Sequence, residues 1–209
     1  MNLFRPLGLT LSLACVSFAQ GEGGETFFHE AKVGARLIGK DSLIIIFSAG
    51  SEDLQNTVGI FPYENADSSV FRLFENKMEA YLQERLPVFV DGKRLYPKIV
   101  QWKTGGKGRG DRLDSADIYV DAMFFGLGTR LPPHRKYLEL TANVWTERED
   151  AGNTLIQFTL IDDDKALRHV WTGREKKVRF PISADSLAYM RKHPPGPVRK
   201  LLPRDIPGH

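Results

Sequence analysis

From residue 33 onward most of the chain alternates apolar and polar residues, the period of a half-buried β-strand. Val33, Ala35 and Leu37 share one face of a first strand. Leu43, Ile45 and Phe47 share one face of a second, with Ile44 and Ile46 on the other. Gly39-Lys40-Asp41 joins the two as a short hairpin connection. The β-branched run of the second strand predicts burial on both faces and hence a central position. The period then changes. Val70, Phe71, Phe74, Met78, Tyr81 and Leu82 fall on one stripe of a helical wheel, with Arg85 intruding near the end. A helix near 68–86 follows, capped by Asp67 or Ser68 and stopped by Pro87.

Strand signals resume after the helix. Asp91-Gly92 is a type I′ turn pair inside a hairpin over 87–97, and the strand after Pro97 calls for an edge or a bulge. Residues 103–112 are a glycine-rich basic stretch expected to be a loop. Ile118, Val120, Ala122 and Phe124 then alternate with Tyr119, Asp121 and Met123. Leu138, Leu140, Ala142 and Val144 form the next apolar parity. Strands over 154–161, 167–171 and 176–182 follow, separated by turns, with a short helix over 183–192. The fold class is therefore mainly β: an antiparallel β-sandwich, immunoglobulin-like in architecture, with one packed amphipathic helix.

The first residues change the picture of where this domain resides. Arg5 precedes an apolar run over 7–19, and Ser17-Phe18-Ala19 has the small residues of a cut site before Gln20. This is the anatomy of a secretory signal over 1–19, followed by a flexible leader over 20–27. The run is shorter than the roughly 20 residues of a membrane-spanning helix. Cys15, the only cysteine of the 209 residues, lies inside the signal, so cleavage leaves none for disulfides. Lipid attachment at Cys15 is the alternative, although Ser12 and Leu13 depart from the usual lipobox pattern. The reading is of an exported, periplasmic protein. Its domain spans 28–190, and a proline-rich basic tail spans 191–209. The formal net charge of +3 excludes the strong basic footprint of a nucleic-acid binder.

Candidate chemistry is sparse. The glycine stretch lacks the spacing of a phosphate-binding loop, because Gly106-Lys107 is followed by Gly108 rather than a hydroxyl residue. Arg109-Gly110-Asp111 spells an adhesion tripeptide, a match short enough to arise by chance. Asp162-Asp163-Asp164 resembles a calcium cluster but lacks the later bidentate acid, so an interstrand turn fits it better. No i, i+4 histidine pair exists among the five histidines. A site for a divalent transition metal would be assembled in space from His29, Glu30, His134 and His169. Lys103, Lys107, Arg109 and Arg112 are candidate contacts to an anionic partner or to lipid headgroups. No nucleophile elbow, zinc-protease motif or cysteine–histidine pair is present. The expected function is a non-catalytic binding or accessory module with an envelope protein as partner. A periplasmic metal-binding protein and a hydrolase with a spatially assembled site are the alternatives.

The order of elements carries a resemblance. His29 opens the mature chain, and Ser51-Glu52-Asp53-Leu54-Gln55, Tyr81-Leu82, Asp91-Gly92-Lys93, the Asp162–Asp164 turn and Val178-Arg179-Phe180 follow. Over about 28–182 this is similar to free-standing relatives of a bacterial periplasmic domain that precedes membrane regions of the HupE/UreJ type. Here no such membrane region follows. The resemblance implies an exported accessory or binding domain linked to metal handling.

Overall fold

The computed structural model describes residues 29–60, 67–107, 120–145, 154–172 and 176–196. The expected signal and leader, Cys15, Arg109, Arg112 and the tail beyond 196 lie outside them. The first hairpin pairs β1 (His29–Ile38) with β2 (Ser42–Ala49), setting Val33 opposite Phe47 and Leu37 opposite Leu43. Gly39 turns it with φ 57°, a conformation that costs glycine little because it has no Cβ.

These two strands form the centre of a six-stranded sheet. On one side β2 pairs with β6 (Val120–Arg130), and β6 with the edge strand β5 (Lys98–Lys107). On the other side β1 pairs with β8 (Thr154–Asp162), which pairs with β9 (Lys165–Thr172). A second sheet has the order β10 (Lys177–Pro181), β7 (Tyr137–Thr141), β3 (Val88–Val90) and β4 (Lys93–Leu95). Three helices accompany the sheets: α1 (Ser51–Val58), α2 (Ser68–Arg85) and α3 (Ala184–Lys192). The arrangement is mainly β and sandwich-like.

The structure departs from the sequence expectations at four points. The β1·β8 ladder is parallel, with Val33 opposite Phe158, so the fold is not uniformly antiparallel. Two strands with β2 to β7 between them in the chain escape the hairpin geometry that enforces antiparallel pairing. The chain also changes sheets at Tyr96-Pro97, between β4 and β5, although β5 is, as expected after Pro97, an edge strand with a bulge. The expected basic loop is, as far as Lys107, still strand. Gly105 pairs with Ala122 and Lys107 with Val120, since a missing side chain leaves the backbone hydrogen bonds of a ladder intact. Finally, α1 is an additional helix, beside the expected α2 and the expected short helix α3.

One apolar cluster holds these elements together. Val33, Ile45, Phe47, Phe125 and Phe158 of the first sheet and Leu138, Leu140 and Phe180 of the second are fully or almost fully buried in it. The helix α2 contributes Phe74, Met78 and Leu82. The Phe74 ring meets Trp102 edge-on at 5.3 Å between centroids and lies 6.0 Å from Phe125. Offset and edge-on ring contacts suit the aromatic quadrupole. Asp67 caps α2 through hydrogen bonds from the N–H groups of Ser69 (2.7 Å) and Val70 (3.1 Å). These bonds, with the one from the Ser69 hydroxyl first in effect, hold its carboxyl below the ordinary carboxylate value.

Candidate functional site

The expected metal constellation can be placed on this sheet. His29 opens β1 opposite Thr154. Glu30 is half-buried and pairs with Lys32 at 3.6 Å. His169 lies on β9 beside Thr159, which pairs with Gly34. Five residues separate Gly34 from His29, which is about 17 Å along the strand, and two strand spacings add about 10 Å across it. His134 follows β6, whose last residue Arg130 pairs with Ser42 beside the first hairpin turn, at the far end of β1 from His29. The strands therefore set His29, His134 and His169 in three separate places. Among the described residues no three His, Cys, Asp or Glu side chains cluster as a metal site would need.

His169 has a different occupation. Its Nδ1 lies 3.0 Å from the Thr159 hydroxyl, and the ring is half-buried. Burial pushes its pKa below the ordinary histidine value, because the charged ring loses hydration. The three aspartates form a turn: β8 ends at Asp162, Asp163 takes φ 51°, and β9 begins at Lys165. Asp162 accepts a hydrogen bond from Arg191 of α3, and Asp164 pairs with Arg36. Both carboxylates are thus engaged by guanidinium groups within the fold.

The basic candidates lead to a more distinctive surface. Lys103 sits on β5 opposite Phe124, and its Nζ lies 5.6 Å from that ring's centroid. Both belong to the outer face of the six-stranded sheet, the face turned away from the core. The pairing register runs Gln101–Gly126–Ile46–Gly34 across this face. Ile44 and Ile46 are only half-buried here, whereas their neighbours Leu43, Ile45 and Phe47 are fully buried. The expectation that β2 is buried on both faces thus holds on one face only, since no element covers the other among the described residues.

Two glycines of β6 shape this surface. A Cβ at Gly126 would lie 3.2 Å from Gln101 Cγ, and one at Gly128 would lie 3.0 Å from Val100 Cγ1. Without those carbons, the side chains of β5 lie down over β6. The residues 99–101 bulge that shifts the β5 register leaves Val100 61% exposed. A cleft of about 80 Å³ opens between Ile44, Ile46, Gln101, Lys103, Phe124 and Gly126. Enclosed small-molecule sites run to roughly 300–1,000 Å³, so this cleft has room for one side chain and not for a whole metabolite. Sequence analysis pointed to Lys103 but missed Ile44, Ile46, Gln101 and Gly126 as site residues. The alternation of β2 and the two glycines of β6 were their only signals. Of the other basic candidates, Lys107 lies on the same strand. The chain matches no model of a known protein family, and no curated protein is significantly similar to it.

Proposed function

We propose that this protein is an exported, non-catalytic binding or accessory module of the cell envelope. Its contact surface is the outer face of β5, β6 and β2. The observation that carries this reading is the small apolar cleft beside Lys103, set flush in a rigid sheet. Half-exposed Ile44 and Ile46, exposed Val100 and a cation over an aromatic ring form a surface that gains from being covered. The cleft's size suits a side chain of a partner rather than an enclosed substrate. The immunoglobulin-like reading rests on two sheets over one core, a frame on which recognition surfaces recur. No helix among the described residues is long and apolar enough to cross a membrane.

The test is capture from an envelope extract, run in parallel with wild-type protein and an Ile46→Glu variant. Proteins held by the wild type and released by the variant, with the variant's circular dichroism unchanged, are the expected result. Equal retention by both would remove this face as the contact surface.

A further inference from the structure

The charges around the cleft are one-sided. The strands β2, β5 and β6 together carry Lys98, Lys103, Lys107 and Arg130 against a single acid, Asp121. Lys98, Lys103 and Arg130 have no acidic partner among the described residues. In the next row of the face stands Arg36, opposite Ile44. It pairs with Asp164, yet its buried Nε has no hydrogen-bond partner among the described residues. A second copy of this chain docking face to face would set these cations against themselves, so self-association through this face is disfavoured. That charge balance favours an anionic covering partner.

The cleft narrows the choice further. Its volume of about 80 Å³ is near half of the roughly 150 Å³ that accommodates a benzene ring. An aliphatic side chain matches such a space better than an aromatic ring does. The aliphatic residues that line it, Ile44 and Ile46, are half-buried and flush with the sheet. That geometry favours a partner that brings its own apolar anchor to the sheet. The outer edge of β5 is itself a poor template for an added strand, because Glu79 takes the Ile99 N–H and the bulge and lysines break the regular edge. The face, rather than the edge, is where a segment can lie. Gln101, exposed and lying over Gly126, offers an amide donor and acceptor to such a segment's backbone.

We infer that this face receives an extended acidic segment of a partner protein that places one aliphatic side chain between Ile46 and Phe124 and its carboxylates against Lys103, Lys98 and Arg130. The inference rests on the proposed contact face and names the chemistry of what covers it.

Fluorescence anisotropy with four short labelled peptides tests it: alternating Glu–Leu, Glu–Phe, Glu–Ser and Lys–Leu. The Glu–Leu peptide binds at least tenfold tighter than each of the other three, and its affinity falls as salt is raised. Lys103→Glu, an exposed change, weakens it at least tenfold. Gly126→Ala, which crowds Gln101 into the cleft, weakens Glu–Leu while leaving Glu–Ser unaltered. Equal binding of Glu–Leu and Glu–Ser, or of Glu–Leu and Lys–Leu, overturns the inference. So does sedimentation with phosphatidylglycerol vesicles that Lys103→Glu abolishes, if the Glu–Leu peptide fails to bind. If the peptides fail but Ile46→Glu still releases captured envelope proteins, only the acidic-segment inference falls. If Ile46→Glu releases nothing, the contact face falls with it.

Discussion

His169 shows at the scale of one residue how burial separates a structural histidine from a ligand. Its ring is half-buried beside the Thr159 hydroxyl, and burial holds its pKa below the ordinary value of about 6.5. The unfolded chain therefore takes up the proton first as the pH falls. The stabilisation tied to the neutral ring is complete above the ordinary pKa and is lost as the pH drops through the folded one. We expect the urea midpoint to fall between about pH 7.5 and about pH 5, and to fall less in His169→Gln. Parallel slopes for the two proteins would show that His169 does not contribute. Glu139 adds its loss in a lower window. The hydrogen bond from Lys177 holds its carboxyl below the ordinary carboxylate value, so its contribution disappears only as the pH falls below that range. Sequence identified His169 as polar and strand-borne, but whether a histidine faces a metal, a hydroxyl or water depends on which strand lies beside it. That neighbour, β8, is fixed by the sheet.

The change of sheet after β4 is the decisive event among the elements. The β3–β4 hairpin follows from Asp91-Gly92, both at positive φ, as the type I′ turn requires. The Asp91 carboxylate also accepts hydrogen bonds from the N–H groups of Lys136 and Tyr137, at 2.9 Å each, which ties the hairpin to the start of β7. Two residues later the chain enters the other sheet, and α2 guides it there. Glu79 accepts a hydrogen bond from the Ile99 N–H at 2.8 Å, and Gln83 Nε2 donates to the Pro97 carbonyl at 3.2 Å. Glu79→Ala should lower unfolding stability by about 1.5–3 kcal/mol, as expected for loss of a hydrogen bond to a charged group. Glu79→Gln, which keeps an acceptor, should recover most of it in urea titrations. An alanine variant as stable as wild type would show that the crossover does not depend on this contact. Helical periodicity located α2 within a residue or two, because its buried stripe is long and apolar. The short α1 leaves a weak periodic signal, because among its described side chains only Leu54 and Val58 enter the core.

Across the whole molecule, both sheets and the helices share one buried cluster. Such a core should unfold in one cooperative step. Trp102 reports on the first sheet where α2 packs against it, Trp171 on β9, and Trp145 on the chain just beyond β7. Urea unfolding followed by tryptophan fluorescence and by far-ultraviolet circular dichroism is expected to give coincident midpoints. Two separated transitions would mean that the sheets are independent folding units.

The local periodicities in the sequence determined the β-rich class, the first hairpin, the Asp91-Gly92 turn and the helix α2. Each of these depends on residues close in the chain, whose side chains share a face wherever the element ends up. The sequence alone also located a cation at Lys103. Tertiary structure decided the parallel β1·β8 ladder, the change of sheet at Tyr96-Pro97 and the separation of His29, His134 and His169. It also decided that the Ile44–Ile46 side of β2 lies open beside Lys103. Alternation records which side of a strand is apolar, but it does not encode the strand's neighbour, its direction or what covers its second face. Those follow from contacts between residues far apart in the chain, and the candidate site is made of such contacts.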